Sequence, residues 1–276
     1  MPRPPRRFSI WRFSLLVALQ FALLLVGMRF LAPGIWAQQV AAGPVALILV
    51  FLGMQLFNCF FEWAFHRYVL HTVTVSWLSH FAHGHRNHHS LTNIQLKRDE
   101  AGPGRIVLNR YPIVDEEQFE DSAFPAYSLV AFWLLFTPLL VLAQYLLPHA
   151  PVYLGGYAAI TWSMAAYEVF HSIEHLPYAW WERAIASRRF GGLWRRIYGF
   201  HHFHHANIGS NEAISGFLGL PLADWALRTY HQPQSLLLQG RMATAKEFAV
   251  SPPWSFVTRI DRWARAREAK IIRSAG

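Results

Sequence analysis

Four long apolar runs, at residues 13–30, 40–61, 124–147 and 152–170, constrain this chain more than any other feature. At about 1.5 Å per residue, helices of these lengths cover roughly 27–36 Å, against a hydrocarbon core of about 30 Å. Each run is therefore read as a transmembrane helix. The 276 residues are 53% apolar and only 15% charged, enough for one substantial domain but poor in charge for a soluble one. Arg29 and Glu168 stand at the ends of their runs, where they reach an interface. A charge at mid-bilayer would cost roughly 3 kcal/mol. The first run is read as a retained anchor rather than a signal peptide, because no clear small-residue cleavage site follows and a second run comes at once.

Four spans put both termini on one side, and the basic residues say which. Arg3, Arg6, Arg7 and Arg12 precede the first run, and Arg67, Arg86, Lys97, Arg98, Arg105 and Arg110 lie between the second and third. The connections at 31–39 and 148–151 contain no Lys or Arg. This positive-inside pattern predicts cytoplasmic termini, middle loop and C-terminal region. It also accounts for most of the +9 net charge without nucleic acid. The expected organisation is a single integral membrane domain. Residues 1–12 form a basic N-terminus, 66–122 and 171–246 a cytosolic cap, and 247–276 a basic amphipathic tail. Trp180, Trp181 and Trp194 alternate with arginines, as in a segment lying in the interface. Val257, Ile260 and Trp263 recur at helical spacing in the tail, which reads equally as an interfacial or a solvated helix.

The fifteen histidines are the second constraint, since all but His149 and His231 fall in residues 66–89 and 171–205. Each stretch begins where an apolar run ends. The first holds His66 and His71 in HRYVLH, then His85, His88 and His89 in HRNHH. The second holds His171 and His175 in HSIEH, then His201, His204 and His205 in HHFHH. A hairpin of spans, a spaced pair and an HxxHH box thus occur twice, a repeat of pattern rather than of residue identity. On a helix, each box points three imidazoles one way. His66 and His71 would lie about 140° apart on an ideal helix and need a helix end or local irregularity to converge.

Ten converging imidazoles exceed what one ion of four to six ligands takes and suffice for two. The single cysteine, Cys59, sits in an apolar run and can build neither an internal disulfide nor a thiolate site. Imidazole suits Zn, Cu, Fe or Ni. Neither GxSxG nor HExxH is present, which weighs against hydrolysis. Oxidising an unactivated carbon at the membrane needs a redox metal and dioxygen, which favours iron. His80, His83 and His202 fall outside the repeated spacing and are read as orienting or surface residues. Glu62, Glu168 and Glu174 lie near the boxes and are read as ligand-orienting or structural rather than catalytic, so no general acid or base is assigned.

At these residues the chain resembles the fatty acid hydroxylase and sterol desaturase superfamily of membrane di-iron enzymes. That family is marked by a spaced His pair, an HxxHH box, a second pair and a final HxxHH box, the order seen here. LADWALRTY, with Leu222, Asp224, Trp225, Thr229 and Tyr230, is similar to its terminal motif, so the resemblance covers about the second span to Tyr230. Two positions depart. His202 stands where related sequences often carry an acid, leaving His201 and His202 as alternatives for the first ligand of the last box. Glu212 and Ala213 follow Asn211 in place of an aromatic residue and a glycine.

The resemblance implies an all-α membrane bundle with a cytosolic helical cap bearing two iron ions, with zinc as a substitute. It implies O2-dependent hydroxylation of a fatty acyl, sterol or related lipid, with desaturation by the same site as the alternative. No cytochrome b5-like domain is attached, so electrons are expected from a separate donor and reductase. A metal transporter would place ligands near mid-bilayer, yet the spans contain no histidine. A non-redox zinc protein or lipid-binding scaffold is the other alternative, separated by metal-dependent oxygen consumption.

Overall fold

A computed structural model of the protein describes residues 9–99, 104–120, 122–125 and 127–275. Arg3, Arg6 and Arg7, on which part of the orientation argument rests, lie outside the described residues. The first apolar run forms α1 (Ile10–Leu31), opened by Ser9, whose hydroxyl accepts the Arg12 N–H. Pro33 cannot continue α1 and instead opens the short α2 (Pro33–Ala41). Gly43, at φ 81°, makes the left-handed turn into α3 (Gly43–Phe65). A single π turn, His66–Leu70, continues α3 without a break. Then come α4 (Ser79–Leu91), a β-hairpin, α5 (Glu116–Glu120), α6 (Ser128–Leu146) and α7 (Val152–Glu174). The chain closes with α8 (Tyr178–Ile185), α9 (Gly191–His204), α10 (Leu222–Leu227) and α11 (Ser255–Ala275).

Among the described residues, three helices are long and apolar enough to cross a membrane: Ile10–Leu31, Gly43–Leu70 and Ser128–Leu146. The fourth expected span, α7, is a helix of 23 residues, but Gly155, Gly156, Thr161 and Ser163 dilute its apolarity. Its position explains the composition. Helices α1, α3 and α6 all pack on α7, so its sides meet protein rather than lipid. Close approach requires the glycines. A Cβ at Gly155 would stand 2.7 Å from the Val50 side chain, and one at Gly156 would stand 2.5 Å from Leu140. Polar side chains pin the helices in register, with Gln55 donating to the Ala159 carbonyl at 2.7 Å and Asn58 to Ser163 at 2.9 Å.

One element departs from an all-helical chain. Strands β1 (Ile94–Arg98) and β2 (Arg105–Asn109) pair antiparallel with Leu96 opposite Val107. Their alternation, IQLKR against RIVLN, is a strand signal that the surrounding histidine pattern overshadows. Ile94 and Val107 turn inward and build a second core with Tyr111, Trp181, Tyr198 and Leu237. Trp181 is thus buried in the protein, whereas Trp180 and Trp194 reach the surface, so the arginine-rich segment is only partly the interfacial stretch expected from its composition.

Helix α11 is amphipathic, but its inward edge differs from the stripe expected. Val257 is fully buried against Cys59 and Trp63, while Ile260 and Trp263 are exposed. Asp261 and Glu268 share the inward edge with Val257 and hold two arginines near the histidines. Asp261 takes Arg67 in a bidentate pair at 2.8 and 2.7 Å and accepts the Tyr68 hydroxyl at 3.0 Å. Glu268 pairs with Arg86.

Candidate metal centre

The ten box histidines converge from four segments at one end of the bundle, the π turn after α3, α4, the end of α7 and the end of α9. The irregularity needed between His66 and His71 is the π turn. The His71 N–H donates to the His66 carbonyl at 3.0 Å, an i→i+5 bond that swings His71 over His66 and brings their rings to 4.8 Å. The regular i, i+4 spacing brings His171 and His175 together without such a device, their rings 4.6 Å apart.

The histidines form two groups of five, and each box is divided between them. His66, His71, His85, His89 and His204 make the first group, and His88, His171, His175, His201 and His205 the second. Within each group, one ligand atom per residue lies within 4.8 Å of the others. Each group takes its own spaced pair, the outer two histidines of its own box, and the middle histidine of the other half's box. Helix geometry forces the division. Positions i and i+4 are about 40° apart, whereas i+3 lies about 60° to the other side of i, so three imidazoles on one broad face still aim at two points.

Backbone carbonyls fix how several rings are protonated. The Nδ1 atoms of His66, His175 and His204 each lie 2.6 Å from a carbonyl oxygen, of Glu212, Tyr111 and Ser210 respectively. His205 Nδ1 is 3.1 Å from the Thr92 carbonyl. A carbonyl only accepts, so these Nδ1 atoms carry the proton and their Nε2 atoms present lone pairs. In the first group, Nε2 contacts run from His66 to His85 at 2.8 Å, His85 to His71 at 3.3 Å, and His71 to His204 at 3.0 Å. Three successive contacts among neutral rings need opposite atoms at the two ends, yet both ends are lone pairs. No arrangement of protons satisfies this chain. A cation at its centre does.

The spacing agrees, because imidazole nitrogens bound at about 2.1 Å lie roughly 3.0–3.4 Å apart on a shared ion. In the second group, His201 Nε2 stands 3.1 Å from both His175 and His205, and His88 Nε2 is 3.2 Å from His171. His89 is buried, and neither of its ring nitrogens has a hydrogen-bond partner among the described residues. Burial pushes His71, His85, His88, His89, His175, His201, His204 and His205 well below the ordinary histidine range, and neighbouring imidazoles would lower them further. Neutral imidazole is the metal-binding form. The donor set fits metal ions.

No family model matches this chain, and neither does a curated protein or a solved structure.

The residues that hold the histidines were less legible in the sequence than the histidines. Glu212 supplies the carbonyl that orients His66, while its carboxylate takes Arg67 at 2.8 Å. Asp224, in the LADWALRTY stretch, accepts the backbone N–H groups of Glu212 and Ala213, both at 2.9 Å, and the Thr229 hydroxyl at 2.7 Å. Trp63 donates in turn to Thr229 at 2.9 Å, tying this strap to α3. Glu62 anchors the next turn by accepting the N–H and hydroxyl of Ser215 at 2.7 and 2.5 Å. A carboxylate flanked by apolar residues after the last box was the available signal. Its partners lay 11 and 12 positions back, beyond any local spacing rule.

The remaining histidines stay out of both groups. His202 is fully buried, accepts the Leu237 N–H at 3.1 Å, and stacks near Tyr198, so the structure brings His201 and not its neighbour to the cluster. His80, His83 and His149 are exposed, and His231 packs near Phe203.

Two neighbouring cavities lie beside the histidines. One lies between α3, α6 and α7 and is walled by Phe61, Phe132, Phe136, Ile160 and Met164, with His66 among its lining residues. The other, of about 200 Å³, borders His85, His88 and His171 and so touches both groups. Leu70, Phe124 and Tyr167 line both spaces. Glu168 borders the second. One of its oxygens accepts the Phe124 N–H at 2.8 Å and the other has no partner among the described residues.

Proposed function

We propose that this chain is a membrane-bound di-iron oxygenase that hydroxylates an unactivated carbon of a lipid, and that it belongs with the fatty acid hydroxylase and sterol desaturase superfamily. The observation that carries the reading is a pair of neighbouring cavities, one apolar between the bundle helices and the other bordering imidazoles of both groups. The aromatic walls of the first suit an apolar chain, and the second borders His85, His88 and His171. Such walls also exclude water from the reacting carbon.

In this reading all ten box histidines are ligands, five to each of two iron ions, and zinc is an accepted substitute. Iron, when bound, supplies the dioxygen chemistry that an unactivated carbon requires. The chain's own residues do the rest. Glu212, Tyr111, Ser210 and Thr92 hold the imidazoles in the tautomer that presents Nε2 inward. Tyr167, stacked 5.7 Å from His171, forms part of the wall that the two cavities share. The unpartnered oxygen of Glu168 is buried beside the second cavity, where the carboxyl can hold a proton. Electrons come from a separate donor and reductase.

The topology that goes with this function has α7 as a fourth span, enclosed by the other three, with both termini and the histidines on the cytoplasmic side. The loss of basic residues from the two short connections supports that orientation. Mass spectrometry of lipids from expressing cells grown under labelled dioxygen tests the reaction. The expected product is heavier by one oxygen atom derived from the gas. Label arriving only from water would refute the oxygenase, and an unlabelled product lighter by two hydrogens would move the assignment to desaturation.

A further inference from the structure

Helix α11 carries its charges unevenly. Its only acids, Asp261 and Glu268, turn inward and pair with Arg67 and Arg86, while Arg259, Arg262, Arg265, Arg267, Lys270 and Arg273 are all exposed. The outer surface of this one helix is therefore strongly cationic. Large apolar side chains stand among the cations, since Phe256, Ile260 and Trp263 are exposed as well. At i, i+4 and i+7 they share one flank, and Arg267 and Lys270 continue it at i+11 and i+14.

The order along that flank is fixed against the bundle. Val257 is buried with Cys59 and Trp63 of the span Gly43–Leu70, so the helix starts beside the last apolar turns of α3. Further along, Asp261 reaches Arg67, and Glu268 accepts the Val73 N–H at 3.3 Å beyond the π turn. Phe256, Ile260 and Trp263 thus come first, near the level where α3 leaves its apolar surroundings, and Arg267 and Lys270 come after them, farther out. Trp263, Arg267 and Lys270 also line one surface pocket with Thr74. Apolar side chains at the acyl boundary with cations at headgroup level are how an amphipathic helix binds an anionic bilayer surface. An acidic soluble protein would answer the cations but gives no account of apolar residues placed nearest the span.

We propose that this flank of α11 is a binding site for anionic phospholipid, with Phe256, Ile260 and Trp263 set at the acyl boundary and Arg267 and Lys270 holding the headgroup. The site rests on α3 crossing the membrane and on nothing about the reaction, so it stands whether or not the oxygenase reading does.

The test uses the full-length, metal-loaded protein in phosphatidylcholine nanodiscs doped with doxyl-labelled phosphatidylglycerol or, in parallel, doxyl-labelled phosphatidylcholine. Native Cys59 is fully buried, so a nitrobenzoxadiazole dye attaches selectively at Ile260→Cys or, in a second sample, at Ala269→Cys. Both positions are exposed and lie about 180° apart around the helix. One cation at an anionic surface is worth about fivefold in local lipid concentration, so labelled phosphatidylglycerol should quench the dye at residue 260 at least about fivefold more strongly than labelled phosphatidylcholine. The dye at residue 269 should show no such preference. Salt at about 500 mM should remove the preference by screening, and inorganic phosphate should do no more than chloride of equal ionic strength. Arg267→Gln combined with Lys270→Gln should cost at least about fivefold of the preference. The salt comparison needs neither of these changes, so misfolding of the double variant does not obscure it. Equal quenching by the two lipids at low salt would overturn the proposal, as would an equal preference at residue 269. Displacement by phosphate beyond chloride would mean a free-anion site instead, and no quenching at residue 260 by either lipid would leave the cations to a soluble acidic partner.

Discussion

The division of each HxxHH box between two groups makes a prediction that a simple count of metal ions can decide. His204 belongs by sequence to the last box but by position to the group of His66, His71, His85 and His89. It is fully buried, its Nε2 is 3.0 Å from that of His71, and its Nδ1 is bound to the Ser210 carbonyl. Four-ligand structural metal sites bind with roughly 10–16 kcal/mol, which is about 3 kcal/mol per ligand and roughly 10²-fold in affinity for each ligand lost. His204→Ala should therefore empty the first group under dilute metal and leave the second filled, so that elemental analysis finds one ion per chain instead of two. The pairings discriminate. His204→Ala combined with His66→Ala should still retain one ion, because both changes strike one group. Combined with His201→Ala it should retain none, because the two changes strike different groups. Folding of each variant is checked by size exclusion and circular dichroism, since the freed Ser210 carbonyl alone costs about 1–3 kcal/mol. One ion surviving in the His201, His204 double variant would mean that each box serves a single ion, and the cross-ligation would be wrong.

Asp261→Asn should weaken the part-buried bidentate pair with Arg67 and lower stability by about 1–3 kcal/mol, since Glu212 still holds Arg67. A thermal melt and a metal assay check this, and an unchanged melt with full metal content would detach α11 from the site. His83→Ala and His149→Ala should leave metal content and activity unaltered, as both residues are exposed and outside the groups. A loss matching that of His88→Ala would contradict the grouping. Tags at residues 1 and 276 should resist external protease together in sealed spheroplasts. Opposite accessibility would mean an odd number of spans and would leave α7 as a helix that does not cross.

The local rules that carried far in this chain are those of period and length. Apolar runs marked α1, α3 and α6 because the hydrophobic requirement of a span is a property of consecutive residues. The i, i+3, i+4 spacing brought the ten histidines into view because imidazoles on one helix face must converge somewhere. The 140° gap between His66 and His71 foretold an irregularity, and the π turn is its form. What the sequence could not decide is where each ring aims. A 100° difference between adjacent positions is small on one helix but large enough to send His88 and His204 to opposite groups once two helices face each other across the bundle. Nor could it show Glu212 as the orienting partner of His66, since that contact spans 146 positions and depends on Asp224 holding the intervening strap. The hairpin at 94–109 was hidden for a related reason. Five-residue strands carry little local signal, and these are stabilised by burial against Tyr198 and Leu237, which only the folded chain brings near. Helix α7 shows the same limit from the other side: its glycines weaken the hydropathy signal, yet they are what allows α3 and α6 to close around it, because packing between helices is set by shape and not by apolarity alone.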